Sequence, residues 1–186
     1  MKLKTQQLTI DALLAAMCAI LGTLVIPLGI AQLSFESLPV LFSALMYGPI
    51  DGMLVGGIGT LLSQVIRYGW QWADLIWMMP FILVGYLLGL YARRHNYNNT
   101  VCEIRISVVI SELVLFILNT GAIYLDFAVI NTQFYTGKTF YEFILIPLIP
   151  RFFIAIVKSI VLGSFMHKLL KRMSYFTHNG RRGKMN

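Results

Sequence analysis

The first long apolar segment of the chain, Ala12–Phe35 with the sequence ALLAAMCAILGTLVIPLGIAQLSF, contains no charged side chain. An α-helix needs about 20 apolar residues to cross a hydrocarbon layer of about 30 Å, and this segment is long enough to do so. The apolar core of a secretory signal peptide is shorter, at about 7 to 15 residues. The segment therefore predicts a first transmembrane helix.

The composition of the whole chain agrees with this prediction. Its 186 residues are 58% hydrophobic and 12% charged, with a mean hydropathy of +0.73, which lies outside the usual range for a water-soluble domain. We predict an all-α integral membrane protein with a single transmembrane domain, residues 1–186, and six transmembrane helices. Their expected bounds are about 9–30, 35–49, 52–67, 74–92, 104–126 and 143–170. The second and third helices are short, and they form either two spans or a hairpin that enters and leaves on one side.

The basic residues are distributed unevenly among the loops. Of the 15 Lys and Arg residues, 11 lie in the N-terminal segment, the loop after the fourth helix and the C-terminal tail, whereas only Arg67 and Lys138 lie in the opposite loops. Cytoplasmic loops carry an excess of Lys and Arg, so we predict that both termini are cytoplasmic. The net charge of +7 then reflects membrane orientation, and no nucleic-acid partner is expected.

The sequence offers little support for catalysis. It contains no G-x-x-x-x-G-K-[ST] loop, so any ATP hydrolysis by that route must come from a partner. The histidines lie at the cytoplasmic edge or in the tail, and the acidic residues are scattered singly. We therefore expect no catalytic residue, no metal and no cofactor. Cys18 and Cys102 are expected to be packing residues.

Ionisable side chains occur inside two of the predicted spans, where they are costly unless they face protein or water. Arg151 and Lys158 are seven residues apart on the sixth helix, and Glu112 and Asn119 are seven apart on the fifth. Two helical turns bring each pair to one face. We predict a polar seam between these helices that binds a ligand. The alternative is a structural Lys–Glu or Lys–Asn bond that only joins the helices.

All three tryptophans fall in one outer loop, RYGWQWADLIW at residues 67–77. They form either an interfacial aromatic belt or a lid over an amphipathic small molecule, with ring faces for contact and polar groups for orientation. The loop at residues 29–36 is a candidate second flap, with Gln32 and Glu36. The residues expected to bind a substrate are Glu36, Arg67, Trp70, Gln71, Trp72, Asp74, Trp77, Asn119, Arg151 and Lys158.

Small residues recur at four-residue spacing, which lets helix backbones approach closely in lipid. The pairs Gly52/Gly56 and Gly85/Gly89 predict packing inside the bundle. On the first helix the alanines form two overlapping pairs, and this wider smooth stripe could equally receive another subunit. Its members are Ala12, Ala15, Ala16 and Ala19.

These features together resemble the S-components, the substrate-binding membrane subunits of energy-coupling factor (ECF) vitamin importers. The resemblance covers nearly the whole chain. It is carried by the length, the six predicted spans, the alanine stripe at residues 12–19 and the segment Phe35–Pro39 leading into YGPIDGMLVG at residues 47–56. Pro150-Arg151 at the start of the sixth span resembles the branch that includes folate and pantothenate binders.

The resemblance implies a division of labour between subunits. The S-component captures a vitamin outside the bacterial cell with its outer loops and spans four to six, and is thought to topple in the membrane. A transmembrane coupling subunit and two cytoplasmic ATPases power import. The alanine stripe is the family's docking surface for the coupling subunit. The resemblance therefore implies that this subunit docks on Ala12, Ala15, Ala16 and Ala19 in this chain.

The identity of the ligand depends on the cations. Arg67, Arg151 and Lys158 favour a ligand with a carboxylate, because cations in a low-dielectric site pair best with one. This ranks pantothenate first and folate second, while cobalamin, pyridoxine, riboflavin and hydroxymethylpyrimidine stay open. A stand-alone ion-coupled carrier, with Glu112 as its acid, is the competing class. A structural assembly factor that binds no small ligand is a third.

Overall fold

The computed structural model describes residues 2–28, 31–95, 100–130 and 146–182. Within these ranges the chain forms six α-helices and one short antiparallel β-hairpin. The elements are α1 (Lys2–Thr23), β1 (Ile26–Leu28), β2 (Ala31–Leu33), α2 (Ser37–Met46), α3 (Pro49–Tyr68), α4 (Asp74–Arg94), α5 (Val101–Leu125) and α6 (Ile146–Arg182). A π-helical turn, Asp126–Ile130, follows α5. Residues 131–145, which include Lys138, lie outside the described residues.

The first helix lies nearer the N-terminus than its sequence predicts, and it begins at Lys2 instead of about residue 9. It ends at Thr23 instead of near residue 30, and Ile26 of β1 pairs with Leu33 of β2. Pro27 lacks the N–H that a helix interior requires, and the β-branched Val25 and Ile26 favour extended backbone. The apolar run is therefore divided between a helix and a hairpin.

The α2 helix occupies the centre of the bundle. It has only 10 residues, about 15 Å of helix, and all but two of them are buried. The turn after it depends on Gly48, whose φ of 120° disfavours any residue with a Cβ atom. Pro49 then occupies the first turn of α3, where a missing N–H costs nothing. The 10-residue α2 is thus too short to span the hydrocarbon layer, whereas the 20-residue α3 is long enough.

The glycine pairs bring α3 and α4 into backbone contact, which confirms the predicted packing role. A Cβ atom on Gly52 would lie 2.8 Å from the carbonyl oxygen of Gly85, and one on Gly56 would lie 2.7 Å from that of Phe81. A Cβ atom on Gly89 would collide with Pro49. Without a hydrophobic driving force between helices in lipid, this close approach is what gains van der Waals contact.

The alanine stripe of α1 is divided between two faces of the helix. Ala12 and Ala16 are exposed. Ala15 and Ala19 are each only 4% exposed, and the carbonyl of Ala15 lies against Gly59 of α3. Only half of the expected docking stripe is therefore accessible to a partner, and the other half is buried inside the bundle.

Two helix starts are specified by local hydrogen bonds. Thr100 and Glu103 form a capping box at the start of α5, in which the Thr100 N–H donates to Oε2 of Glu103 at 2.7 Å. At the start of α4, the Gln71 N–H donates to Oδ2 of Asp74 at 2.9 Å. Asp74 is 3% exposed, so its carboxylate is committed to the turn that precedes the helix.

Four helices of the described chain are long and apolar enough to cross a membrane. The segments are Thr5–Thr23, Pro49–Tyr68, Asp74–Arg94 and Leu148–Leu170. Many large apolar side chains on these helices are exposed, including Leu13, Ile58 and Phe153. A surface of this kind is suited to lipid contact.

Candidate functional site

A cavity of about 100 Å³ lies between the hairpin, α4, α5 and α6. The hairpin and the segment before α2 close it on one side. Charged, amide and aromatic side chains line it together with aliphatic ones. The lining residues are Gln32, Leu33, Ser34, Glu36, Phe81, Glu112, Leu115, Phe116, Asn119, Arg151, Ile154, Ala155 and Lys158.

The polar groups of α5 and α6 lie at two depths in this cavity. Lys158 contacts Glu112, and the ring of Phe152 contacts that of Phe116 with centroids 5.7 Å apart. The helices therefore run antiparallel in this register. Asn119 lies seven residues from Glu112 toward the C-terminal end of α5, and Arg151 lies seven residues from Lys158 toward the N-terminal end of α6, about 10 Å along each helix. We call the level of the ion pair the inner level and the level of Asn119 and Arg151 the outer level. The predicted polar seam between the fifth and sixth helices is confirmed as a feature of the fold.

The inner level of the cavity contains an ion pair. Nζ of Lys158 lies 3.2 Å from Oε2 of Glu112, and the two side chains are 12% and 3% exposed. The structural bond considered as an alternative is thus present, beside a cavity that Lys158 and Glu112 also line. At the outer level, no described residue forms an ion pair with Arg151 within 4 Å.

Glu36 reaches the cavity from the segment that precedes α2. Its Oε2 atom accepts a hydrogen bond from Oγ of Ser63 at 3.5 Å, and its carbonyl oxygen accepts one from Sγ of Cys18 at 3.2 Å. A Cβ atom on Gly22 would lie 2.6 Å from the same Oε2. The absence of a side chain at Gly22 therefore makes room for the Glu36 carboxylate between α1 and α3.

Arg67 joins the end of α3 to the hairpin. Its Nη2 donates to Oε1 of Gln32 at 3.0 Å, and its Nη1 donates to the carbonyl oxygen of Gly22 at 3.5 Å. The guanidinium also lies 4.7 Å from the ring centroid of Tyr68. Gln32 lines the cavity, so Arg67 acts on that wall through an intermediate side chain.

The tryptophan loop lies apart from the cavity formed by the described residues. Trp70 and Trp72 are 58% and 72% exposed and contact each other edge to face, with ring centroids 6.5 Å apart. Trp77 is half-buried and Gln71 is exposed. The assignment of these residues, and of Asp74, to substrate binding stays a prediction.

Of the expected substrate-binding residues, the cavity brings together Glu36, Asn119, Arg151 and Lys158. Sequence reasoning placed Glu112 in the seam but did not assign it to the ligand, and it gave no role to Phe81 and Phe116. The seven-residue spacing from Asn119 identifies Glu112. Nothing in the sequence distinguishes the two phenylalanines from the many that face lipid.

The fold and cavity define a class of protein: a multi-pass helical membrane protein with a polar cavity between its helices and a β-hairpin. Residues 6–164 match the family described as the substrate-specific component of ECF transporters. The chain belongs to this family, and the predicted all-α membrane class is confirmed.

Three curated relatives are UPF0397 proteins. The relative from Clostridium perfringens is 30% identical over 102 residues, or 54% of each chain. The one from Lactobacillus johnsonii is 37% identical over 78 residues, or 41% of each chain. The chain thus spans about half the length of these two relatives. The protein from Lactobacillus delbrueckii subsp. bulgaricus is 27% identical over 158 residues, covering 80% of this chain and 81% of the relative.

A solved structure has a similar fold. It is described as the S component of a bacterial ECF transporter, and it matches with a TM-score of 0.63 over 94% of this chain and 98% of the other at 19% sequence identity. At this identity the likeness concerns the fold.

Proposed function

We propose that the chain is the substrate-binding subunit of an ECF-type importer in a bacterial cell membrane and that it captures a water-soluble vitamin from outside. The observation that carries the proposal is Arg151. Arg151 lines the cavity, and its guanidinium has no carboxylate partner among the described residues. A cation in a low-dielectric site is stabilised by an anion brought by a ligand.

Pantothenate is the first candidate ligand and folate the second. Both carry a carboxylate that would pair with Arg151. Ligand pockets usually enclose about 300–1,000 Å³, and this cavity encloses about 100 Å³. The small volume supports the smaller and more flexible pantothenate, with an outward movement of the hairpin when it binds.

The proposed transport cycle requires partners. Both termini are proposed to be cytoplasmic, which puts the hairpin and the cavity on the outer side. The exposed alanines Ala12 and Ala16 would dock a transmembrane coupling subunit, and two ATPases bound to that subunit would supply the energy for toppling. A smooth apolar exterior supports such a movement, because a rotating body must not expose polar groups to lipid.

The alternative is a stand-alone ion-coupled carrier, which needs an acid free to bind the coupling ion. Glu112 was the candidate acid, and Lys158 occupies one of its oxygens. A fixed ammonium group 3.2 Å from this carboxylate repels a second cation, which supports the importer subunit. Co-purification separates the two functions, because only an importer subunit is expected to bring down ATPases and a coupling subunit.

Ligand binding to the purified full chain in detergent tests the proposal. A panel of the named vitamins is screened by thermal shift, and pantothenate is expected to raise the melting temperature. Arg151→Gln should weaken pantothenate binding about 100-fold, since a charge-assisted hydrogen bond is lost. Lys168→Gln, on the exposed face of the same helix, is the matched control. Equal affinity in wild type and Arg151→Gln would refute the anion site.

A further inference from the structure

Two buried oxygen atoms, on residues that line the cavity, have no hydrogen-bond partner among the described residues. They are Oε1 of Glu112 and Oδ1 of Asn119. Both residues line the cavity, and the Glu112 side chain is 3% exposed. Buried polar atoms in native proteins are rarely left unpaired, so these two call for an explanation.

The ion pair leaves one half of the Glu112 carboxylate unused. Lys158 engages Oε2, and an ammonium group only donates, whereas a carboxylate and an amide carbonyl accept. What both unpaired oxygens lack is therefore a donor. A simple anion would satisfy Arg151 and leave both oxygens unpaired.

We infer that the substrate is a carboxylate that also carries hydrogen-bond donors, hydroxyl or amide N–H groups, at a fixed distance from its charge. This inference rests on the proposed function of the cavity. The carboxylate binds Arg151 at the outer level, an amide N–H donates to Asn119 nearby, and a hydroxyl about 10 Å further in donates to Oε1 of Glu112. Lys158 is then a positioning residue that orients Glu112 and does not touch the anion.

A matched pair of probes tests the donor requirement. Pantothenate has a carboxylate, an amide N–H and two hydroxyl groups, whereas N-(3,3-dimethylbutanoyl)-β-alanine has the same carbon skeleton, carboxylate and amide but lacks both hydroxyls. A site built to bond a hydroxyl rejects the analogue that lacks it. We expect pantothenate to bind wild type at least about 100-fold more tightly, as measured by titration calorimetry. Equal affinities would overturn the inference. If both probes bound equally and Arg151→Gln weakened both, the proposed anion site at Arg151 would still be supported.

The variant Glu112→Gln reverses the chemistry of the inner level. Its amide oxygen must face the Lys158 ammonium, so its NH₂ group takes the place of Oε1 and presents a donor where Glu112 has an acceptor. The preference for pantothenate over the analogue should then fall at least about tenfold. An unchanged preference in Glu112→Gln, with Lys168→Gln as control, would contradict the assignment of Glu112.

Asn119→Leu gives a test that needs no ligand. An unpaired buried amide carbonyl contributes nothing to the empty protein, so its replacement by an apolar group of similar shape should leave the melting temperature equal or higher. A clear decrease would mean that Asn119 has a structural partner, and the inference would fail. If pantothenate does not bind wild type, the pantothenate assignment fails, and this measurement still decides whether Asn119 has a partner within the protein.

Discussion

The Nζ atom of Lys158 lies 3.2 Å from Oε2 of Glu112, and this ion pair joins α6 to α5 at the inner level of the cavity. Because of this pairing, a substitution of Lys158 affects the stability of the fold as well as ligand binding. If Lys158 served only to bind a ligand, its removal would abolish binding and leave the fold unchanged. In the structure, removal also leaves a buried carboxylate without its counter-charge.

We therefore expect Lys158→Met to destabilise the fold, by about 3–5 kcal/mol, because an uncompensated buried charge is costly. The double variant Lys158→Met with Glu112→Leu should recover most of that loss, since an apolar pair of similar volume replaces the ion pair. Thermal unfolding in detergent measures both. A double variant no more stable than Lys158→Met would show that the ion pair is not the cause.

Arg67 is expected to control ligand exchange through the hairpin. Its hydrogen bond to Oε1 of Gln32 is solvent-exposed, and exposed bonds of this type contribute at most about 1 kcal/mol. Arg67→Met and Gln32→Leu should each raise the association and dissociation rates of the ligand up to about fivefold, with little change in Kd. Stopped-flow fluorescence measures these rates. A selective loss of affinity in Arg67→Met alone would instead support the prediction that Arg67 contacts the ligand.

The two faces of α1 should respond differently to a bulky side chain. Ala16 is exposed, so Ala16→Trp is expected to fold and bind ligand but to block uptake in cells that contain the coupling subunit and the ATPases. Ala15 is buried against α3, so Ala15→Trp is expected to prevent folding. Ile110→Trp, at an exposed position of α5, is the control. Normal uptake by Ala16→Trp would argue against docking on this face.

The α3–α4 contact should not tolerate one added methyl group. A Cβ atom on Gly85 would overlap the backbone of Gly52, so Gly85→Ala must push the helices apart, at a cost of about 1–3 kcal/mol. Gly121→Ala on α5 is the matched control, because a Cβ atom there meets nothing within 4 Å. A similar melting temperature for both variants would mean that the helices separate without cost.

The prediction of the site was best where helical periodicity applies. The spacing of Glu112 from Asn119 and of Arg151 from Lys158 was enough to place all four on one seam, because seven residues make about two turns. The pairing of Lys158 with Glu112 in preference to Asn119 could not be predicted. It depends on the relative sliding of α5 and α6, which their separate sequences do not encode.

The same limit applies to surfaces. Ala12, Ala15, Ala16 and Ala19 are equivalent in the sequence, yet the fold buries only Ala15 and Ala19. The loop tryptophans and Asp74 were grouped by their proximity in sequence. The fold commits the Asp74 carboxylate to the start of α4 and leaves the rings of Trp70 and Trp72 exposed.

The amino-acid sequence by itself determined that this is a membrane-embedded helical protein, because apolar length, charge position and four-residue glycine spacing are properties of single helices. The hairpin over the cavity, the partner of each buried charge and the accessible half of the α1 stripe were decided only in the tertiary structure. Each depends on which helices become neighbours and at what depth they meet.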